Sequence, residues 1–148
     1  MKPAPAFSLP DQTGAVRSLA EFAGKWLIVY FYPQDDTPGC TAEACSFRDV
    51  YGYLQDQGLQ VVGISKDSVK SHAAFAKKYH LNFPLLSDES HEVIEAYGAW
   101  GLGVLGMGTK RMTFLIQPNG RIAKEYPKVT PDGHAVQIMR DFEAFKSV

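Results

Sequence analysis

Two stretches of the chain are apolar almost without interruption, KWLIVYFY over residues 25–32 and LQVVGIS over residues 59–65. A strand that is apolar on both faces belongs in the middle of a covered sheet, so these two are expected to be central and parallel. Between them Phe47, Val50, Tyr51 and Leu54 recur at steps of three and four, which predicts an amphipathic helix over residues 41–57, stopped at Gly58. Strand, helix and strand make one β-α-β unit. A second helix follows over residues 69–79, where Ser68 is a good N-cap and Ala73, Phe75, Ala76 and Tyr79 share one side.

Punctuation sets the rest. FPLLSD (83–88) reads as a short strand, and SHEVIEAYG (90–98) as a short helix capped by Ser90 and stopped at Gly98. Five glycines in GAWGLGVLGMG (98–108) predict a loop. RMTFLI (111–116), the turn QPNG and RIAKEY (121–126) form a hairpin, and residues 133–148 close the chain as a helix. The expected fold is therefore α/β, a mixed central sheet flanked by helices on both faces.

Composition narrows the class without naming a chemistry. At 148 residues and 45% apolar content the chain has the makings of one domain over its whole length, with a core that needs no disulfide staples. Fifteen basic against sixteen acidic residues leave no excess charge to hold a nucleic acid or an anionic membrane. The opening MKPAPAFSLPDQTG has no apolar signal region, and no run approaches the ~20 apolar residues that span a bilayer, so a cytoplasmic protein is expected. Two cysteines are too few for a disulfide scaffold; in a reducing compartment they are redox-active, metal-binding or plain core residues.

Those cysteines lie five positions apart in TPGCTAEACSFRD (37–49), immediately after the first buried run. Open α/β sheets place their chemistry at strand C-terminal ends, which is where this segment falls. Thr37 and Pro38 make an N-cap and first helical residue, so Cys40 sits in the first turn, among unpaired N–H groups that favour an anion. Ionisation alone does not make a catalyst, because a thiolate loses intrinsic nucleophilicity as its thiol becomes more acidic. Rate enhancement needs donors aimed at the leaving oxygen, which a helix N-terminus, the Thr37 hydroxyl and a guanidinium could supply.

On a helix, Cys40 shares a stripe with Ala44, Phe47 and Tyr51, whereas Cys45 is turned about 140° away beside Arg48, Asp49 and Gly52. Helical geometry puts their Cα atoms about 8.7 Å apart, beyond the roughly 7 Å a disulfide tolerates. The two cannot bond while the helix is intact. If they react with each other, its first turns must unwind, a step that Pro38 and Gly39 at the frayed end would ease.

The segment PQDDTPGC, read as Pro33-x3-Thr37-x2-Cys40, resembles the active-site signature of the peroxiredoxins. With Cys45 the chain is similar to the bacterioferritin-comigratory, or Q-type, atypical two-cysteine subfamily, and the likeness runs from PAFSLPDQTG through LIVYFYP, VVGIS and RMTFLI to YPKV and GHA. The resemblance implies a thioredoxin-like fold and a thiol-dependent peroxidase acting on hydrogen peroxide and organic hydroperoxides. It implies that Cys40 is the peroxidatic cysteine, oxidised to a sulfenic acid, and Cys45 the resolving cysteine that closes an intramolecular disulfide. Thr37 is then expected to bond the peroxide, Arg111 to stabilise it and the thiolate, Pro33 to shelter the pocket, and Glu43 to orient the arginine. It also implies a monomer, thioredoxin or a similar thiol as reductant, and no metal or organic cofactor.

Rival readings remain on the residues alone. A thioredoxin-like copper-binding module would need its thiols closer together, and a disulfide reductase would carry C-x-x-C rather than C-x4-C. A non-catalytic interaction domain would consume no peroxide at all. Arg48 reads as an exposed neighbour of Asp49, and His72, His80, His91 and His134 read as solvated surface residues without metal-binding spacing.

Overall fold

The structure, a computed structural model, describes residues 2–103 and 106–146. Met1, residues 104 and 105 of the expected glycine loop, and residues 147 and 148 of the expected last helix lie outside the described residues. The elements run β1 (Ser8–Pro10), β2 (Val16–Ser18), a 3-10 turn (Leu19–Phe22), β3 (Trp26–Phe31), α1 (Pro38–Asp56), β4 (Leu59–Ser65), α2 (Val69–Tyr79) and β5 (Leu85–Ser87). They continue as α3 (Glu92–Ala96), β6 (Trp100–Gly103), β7 (Gly106–Thr109), β8 (Met112–Ile116), β9 (Ile122–Tyr126) and α4 (His134–Lys146).

A five-stranded mixed sheet in the order β5-β4-β3-β8-β9 forms the frame. The two apolar runs are its β3 and β4, paired in parallel as expected, while β8 lies antiparallel on the other side of β3. Alternation along β3 divides the core between two faces. Ile28, Tyr30 and Tyr32 pack with Cys40, Ala44 and Phe47 of α1 and with Ala135, Ile138 and Phe142 of α4. Leu27, Val29 and Phe31 point the other way, toward Phe7, Phe22, Ile94 and Tyr97 from the N-terminal segment, the 3-10 turn and α3. Close fitting fixes the register: Tyr30 stacks on Phe47 at 4.8 Å, and a Cβ added at Gly63 on β4 would meet the Tyr30 ring at 2.8 Å. Among the described residues no helix is long and apolar enough to cross a membrane.

Three expectations are corrected. The glycine-rich stretch is not simply a loop, because Trp100–Gly103 and Gly106–Thr109 pair as an antiparallel two-stranded sheet. Alternating glycines leave no apolar periodicity to read, yet they do not prevent backbone pairing. Ser90 does not cap α3; His91 holds the N-cap position with a left-handed φ of 53°, and the Asp88 carboxylate accepts the Ile94 N–H at 2.9 Å. Finally, His72 and His134 are buried rather than solvated. Their partners come from elements far away in sequence, so helical position alone could not reveal them.

Candidate active site

Strand pairing assembles the site. The antiparallel register sets Met112 opposite Phe31, so the start of β8 lies beside the end of β3, where the chain turns into α1. Arg111, one residue before β8, thereby meets the first turns of that helix. Its Nη2 donates to Cys40 Sγ at 3.3 Å, and its Nη1 donates to Glu43 Oε1 at 2.8 Å. Cys40 and Glu43 stand three residues apart on one helix face, so a single planar guanidinium spans both.

Burial gives these contacts their weight. Glu43 is fully buried and its Oε2 has no partner among the described residues. Removal from water pushes its carboxyl up to about 7, against the pull of the Arg111 guanidinium. Burial also disfavours the charge on Arg111, but Glu43 and Cys40 outweigh it and its hold on the proton is strengthened. The Cys40 thiol is itself buried, and the Tyr30 hydroxyl in the same core, like Glu43 Oε2, has no hydrogen-bond partner among the described residues.

Gly39 is a member of the site that sequence reading passed over. A Cβ there would come within 3.1 Å of Arg111 Nη2 and 3.6 Å of Pro131 Cγ, so the missing side chain is what lets the guanidinium lie across the helix start. Its place inside TPGC was the available signal; Pro131 gave none.

The remaining residues fall as follows. Thr37 is the backbone N-cap of α1, its carbonyl accepting the Thr41 N–H at 2.8 Å. Its hydroxyl does not cap the helix and instead donates to the Gln34 carbonyl at 3.0 Å. Pro33 is exposed and lines a groove of about 360 Å³ with Lys66, Lys110 and the glycines of the β6–β7 hairpin. Cys45 is half-buried in the same unbroken helix as Cys40, and both thiols are free. Arg48 does pair with Asp49, and it also donates to the Tyr79 carbonyl at 2.7 Å. Asp35, Asp67 and His72 offer three ligand atoms within 4.8 Å of one another, but each carboxylate and the ring are already engaged in hydrogen bonds.

A buried cysteine at a helix start, faced by an arginine that a buried carboxylate holds, on a thioredoxin-like sheet, defines the thiol peroxidase class. The chain belongs to the AhpC/TSA family, whose model matches residues 1–125. Peroxiredoxin Bcp of Escherichia coli (strain K12) is 44% identical over 135 residues, covering 88% of this chain and 86% of that protein. The crystal structure of a cysteine-to-serine mutant of Xylella fastidiosa PrxQ superposes with a TM-score of 0.93 at 30% identity, over 99% of this chain and 98% of that one. A Xanthomonas campestris bacterioferritin comigratory protein, described for its alkyl peroxide reduction activity, matches with a TM-score of 0.90 at 34% identity, over 94% and 91% of the two chains. The protein is thus a peroxiredoxin of the Bcp, or PrxQ, type, and its reaction is the reduction of peroxides at the expense of thiols. The copper-module reading is set aside, since these relatives are peroxidases.

Proposed function

We propose that Cys40 is the peroxidatic cysteine. Its thiolate attacks the terminal peroxide oxygen, the O–O bond breaks, and the released alkoxide or hydroxide takes a proton to leave as alcohol or water. The observation that carries this reading is the 3.3 Å contact from Arg111 to the Cys40 sulfur. A cation fixed there favours the thiolate and faces the negative charge that develops on the oxygens in the transition state. Glu43 keeps the guanidinium in place, and Thr37 turns its hydroxyl from Gln34 to the bound peroxide. Pro33 screens the mouth of the pocket from water.

Cys45 then attacks the Cys40 sulfenic acid, expelling water and forming an intramolecular disulfide. Helical geometry leaves the two Cα atoms about 8.7 Å apart, so the first turns of α1 unwind before the sulfurs meet. Thioredoxin or a similar thiol reductant reopens the bond, and the protein works as a cytoplasmic monomer without metal or organic cofactor. Intact mass after one equivalent of peroxide tests the scheme. Wild type should lose two hydrogens, whereas Cys45→Ser should gain one oxygen on Cys40. Thiol-driven peroxide turnover by Cys40→Ser would refute it.

A further inference from the structure

The loop between β3 and α1, which carries Pro33 and Thr37, is held by a buried histidine that the peroxidase chemistry above does not use. Asp35 lies at its centre. The Asp35 Oδ2 faces His72 Nδ1 at 2.7 Å and accepts from Ser71 Oγ at 2.7 Å, both on α2. Its Oδ1 accepts from the Tyr32 hydroxyl at 2.6 Å, and its backbone N–H donates to Asp67 Oδ2 at 2.9 Å. His72 is fully buried, and its Nε2 meets the Leu86 carbonyl of β5 at 2.9 Å. A carbonyl only accepts, so Nε2 carries hydrogen and donates it to Leu86, while Nδ1 and the Asp35 carboxyl share a short hydrogen bond. The ring is therefore clamped at both nitrogens, between the Leu86 carbonyl of β5 and the Asp35 carboxyl of the loop.

The next residue is gripped too. Asp36 adopts a left-handed φ of 58° and accepts from Lys78 Nζ at 2.7 Å and the Tyr79 hydroxyl at 2.6 Å. Thus α2 holds the loop up to the residue before the N-cap, while α1 begins two residues later at Pro38.

We propose that His72 is a positioning residue for the peroxidase reaction. Through Asp35 it fixes the loop that presents Pro33 and Thr37, and makes that loop the stationary boundary against which the first turns of α1 unwind and refold. This rests on the Cys40 and Cys45 roles proposed above. With the clasp weakened, the loop follows the helix: the peroxide pocket is formed less of the time, and the unwound state that permits disulfide formation more of the time.

The test follows reduced wild type, His72→Gln and Asp35→Asn through rapid mixing with hydrogen peroxide, with quenched samples weighed for sulfenic acid, disulfide and sulfinic acid. Both variants disrupt the buried 2.7 Å bond between Asp35 and His72, so the second-order oxidation of Cys40 should slow about tenfold. Disulfide closure should accelerate several-fold, and sulfinic acid formed per turnover in excess peroxide should fall. A merely structural histidine would lower thermal stability while leaving that partition unchanged, and an unchanged partition in folded variants overturns the proposal. Nitrogen-15 spectra of the wild type should show His72 Nε2 protonated, as its bond to the Leu86 carbonyl requires; a bare Nε2 overturns the clasp equally. If His72→Gln does not fold, Ser71→Ala, which keeps the ring, should shift the partition in the same direction, and no shift counts against the clasp. Failure of wild-type Cys40 to react with peroxide at all would instead refute the peroxidase roles, leaving the histidine spectrum to report on the clasp.

Discussion

Arg111 touches Cys40 and Glu43 from one planar group, and Gly39 leaves the space in which that group lies. Two substitutions separate charge from placement. Arg111→Lys keeps a cation but loses the fork, so one ammonium cannot hold both partners; kcat/KM for peroxide should fall by about a hundredfold or more. Gly39→Ala adds a methyl group that pushes the guanidinium aside by a few tenths of an ångström, and activity should drop about tenfold. Because alanine favours helix over glycine by roughly 0.5–1 kcal/mol, the same variant should melt no lower than wild type. A melting point that fell along with activity would show a packing defect rather than a displaced arginine. At this scale the sequence made Cys40 readable from its place at a helix start, and Glu43 and Arg111 only through the family resemblance, since Arg111 lies 71 positions from the sulfur it meets. His72 and His134 were not readable. The former depends on Asp35, 37 positions away, and the latter meets Thr113, 21 positions away, at 2.7 Å.

Among elements, the proposed cycle asks α1 to be both an ordered platform and a segment that comes apart. Its C-terminal half is anchored by Phe47, Tyr51 and Leu54 in the core, whereas its first turn is capped only through the backbone of Thr37 and starts with Pro38 and Gly39. Opening should therefore be confined to the N-terminal end. Hydrogen exchange of the oxidised protein should lose protection over residues 39–45 relative to the reduced form and retain it over α2. Equal protection in both states would rule out unwinding as the route to the disulfide. The strand that delivers Arg111 is held by its pairing with β3 and β9 and is tied to α4 by the bond between Thr113 on β8 and His134. Thr113→Val strands a buried ring nitrogen and should cost about 1–3 kcal/mol in chemical denaturation. The long elements were legible because their apolar periodicity is sustained. Strands β1 and β2 have three residues each and β6–β7 alternates glycine, so pairing there is set by backbone and tertiary contact.

For the molecule as a whole, two buried groups set opposing pH slopes on stability. Burial raises Glu43 from 4.5 to about 7, so between those values the folded chain keeps a proton that the unfolded chain has released. Its contribution to stability is complete below about 4.5 and is lost as pH rises through about 7. His134 behaves oppositely. Burial lowers it from 6.5, so just below 6.5 the unfolded chain binds the proton and stability rises with pH. The two slopes overlap and partly cancel, which makes the wild-type profile flatter than either group alone. Asp88 is also raised by burial, but from 3.8, and it is present in every variant compared. Glu43→Gln removes only the falling component, because the amide oxygen can still accept from Arg111. The stability of Glu43→Gln minus that of wild type, from urea denaturation at matched pH, should therefore grow from pH 4.5 to pH 8. A shift from 4.5 to about 7 bounds that growth at roughly 3 kcal/mol. A difference constant across the range would mean that Glu43 is ionised in the folded protein throughout, and that Arg111 compensates its burial in full. Peroxide kinetics of the same variant then separate the two duties of the carboxyl, since a stability gain above pH 7 accompanied by slower Cys40 oxidation is the signature of a buried charge kept to hold the arginine.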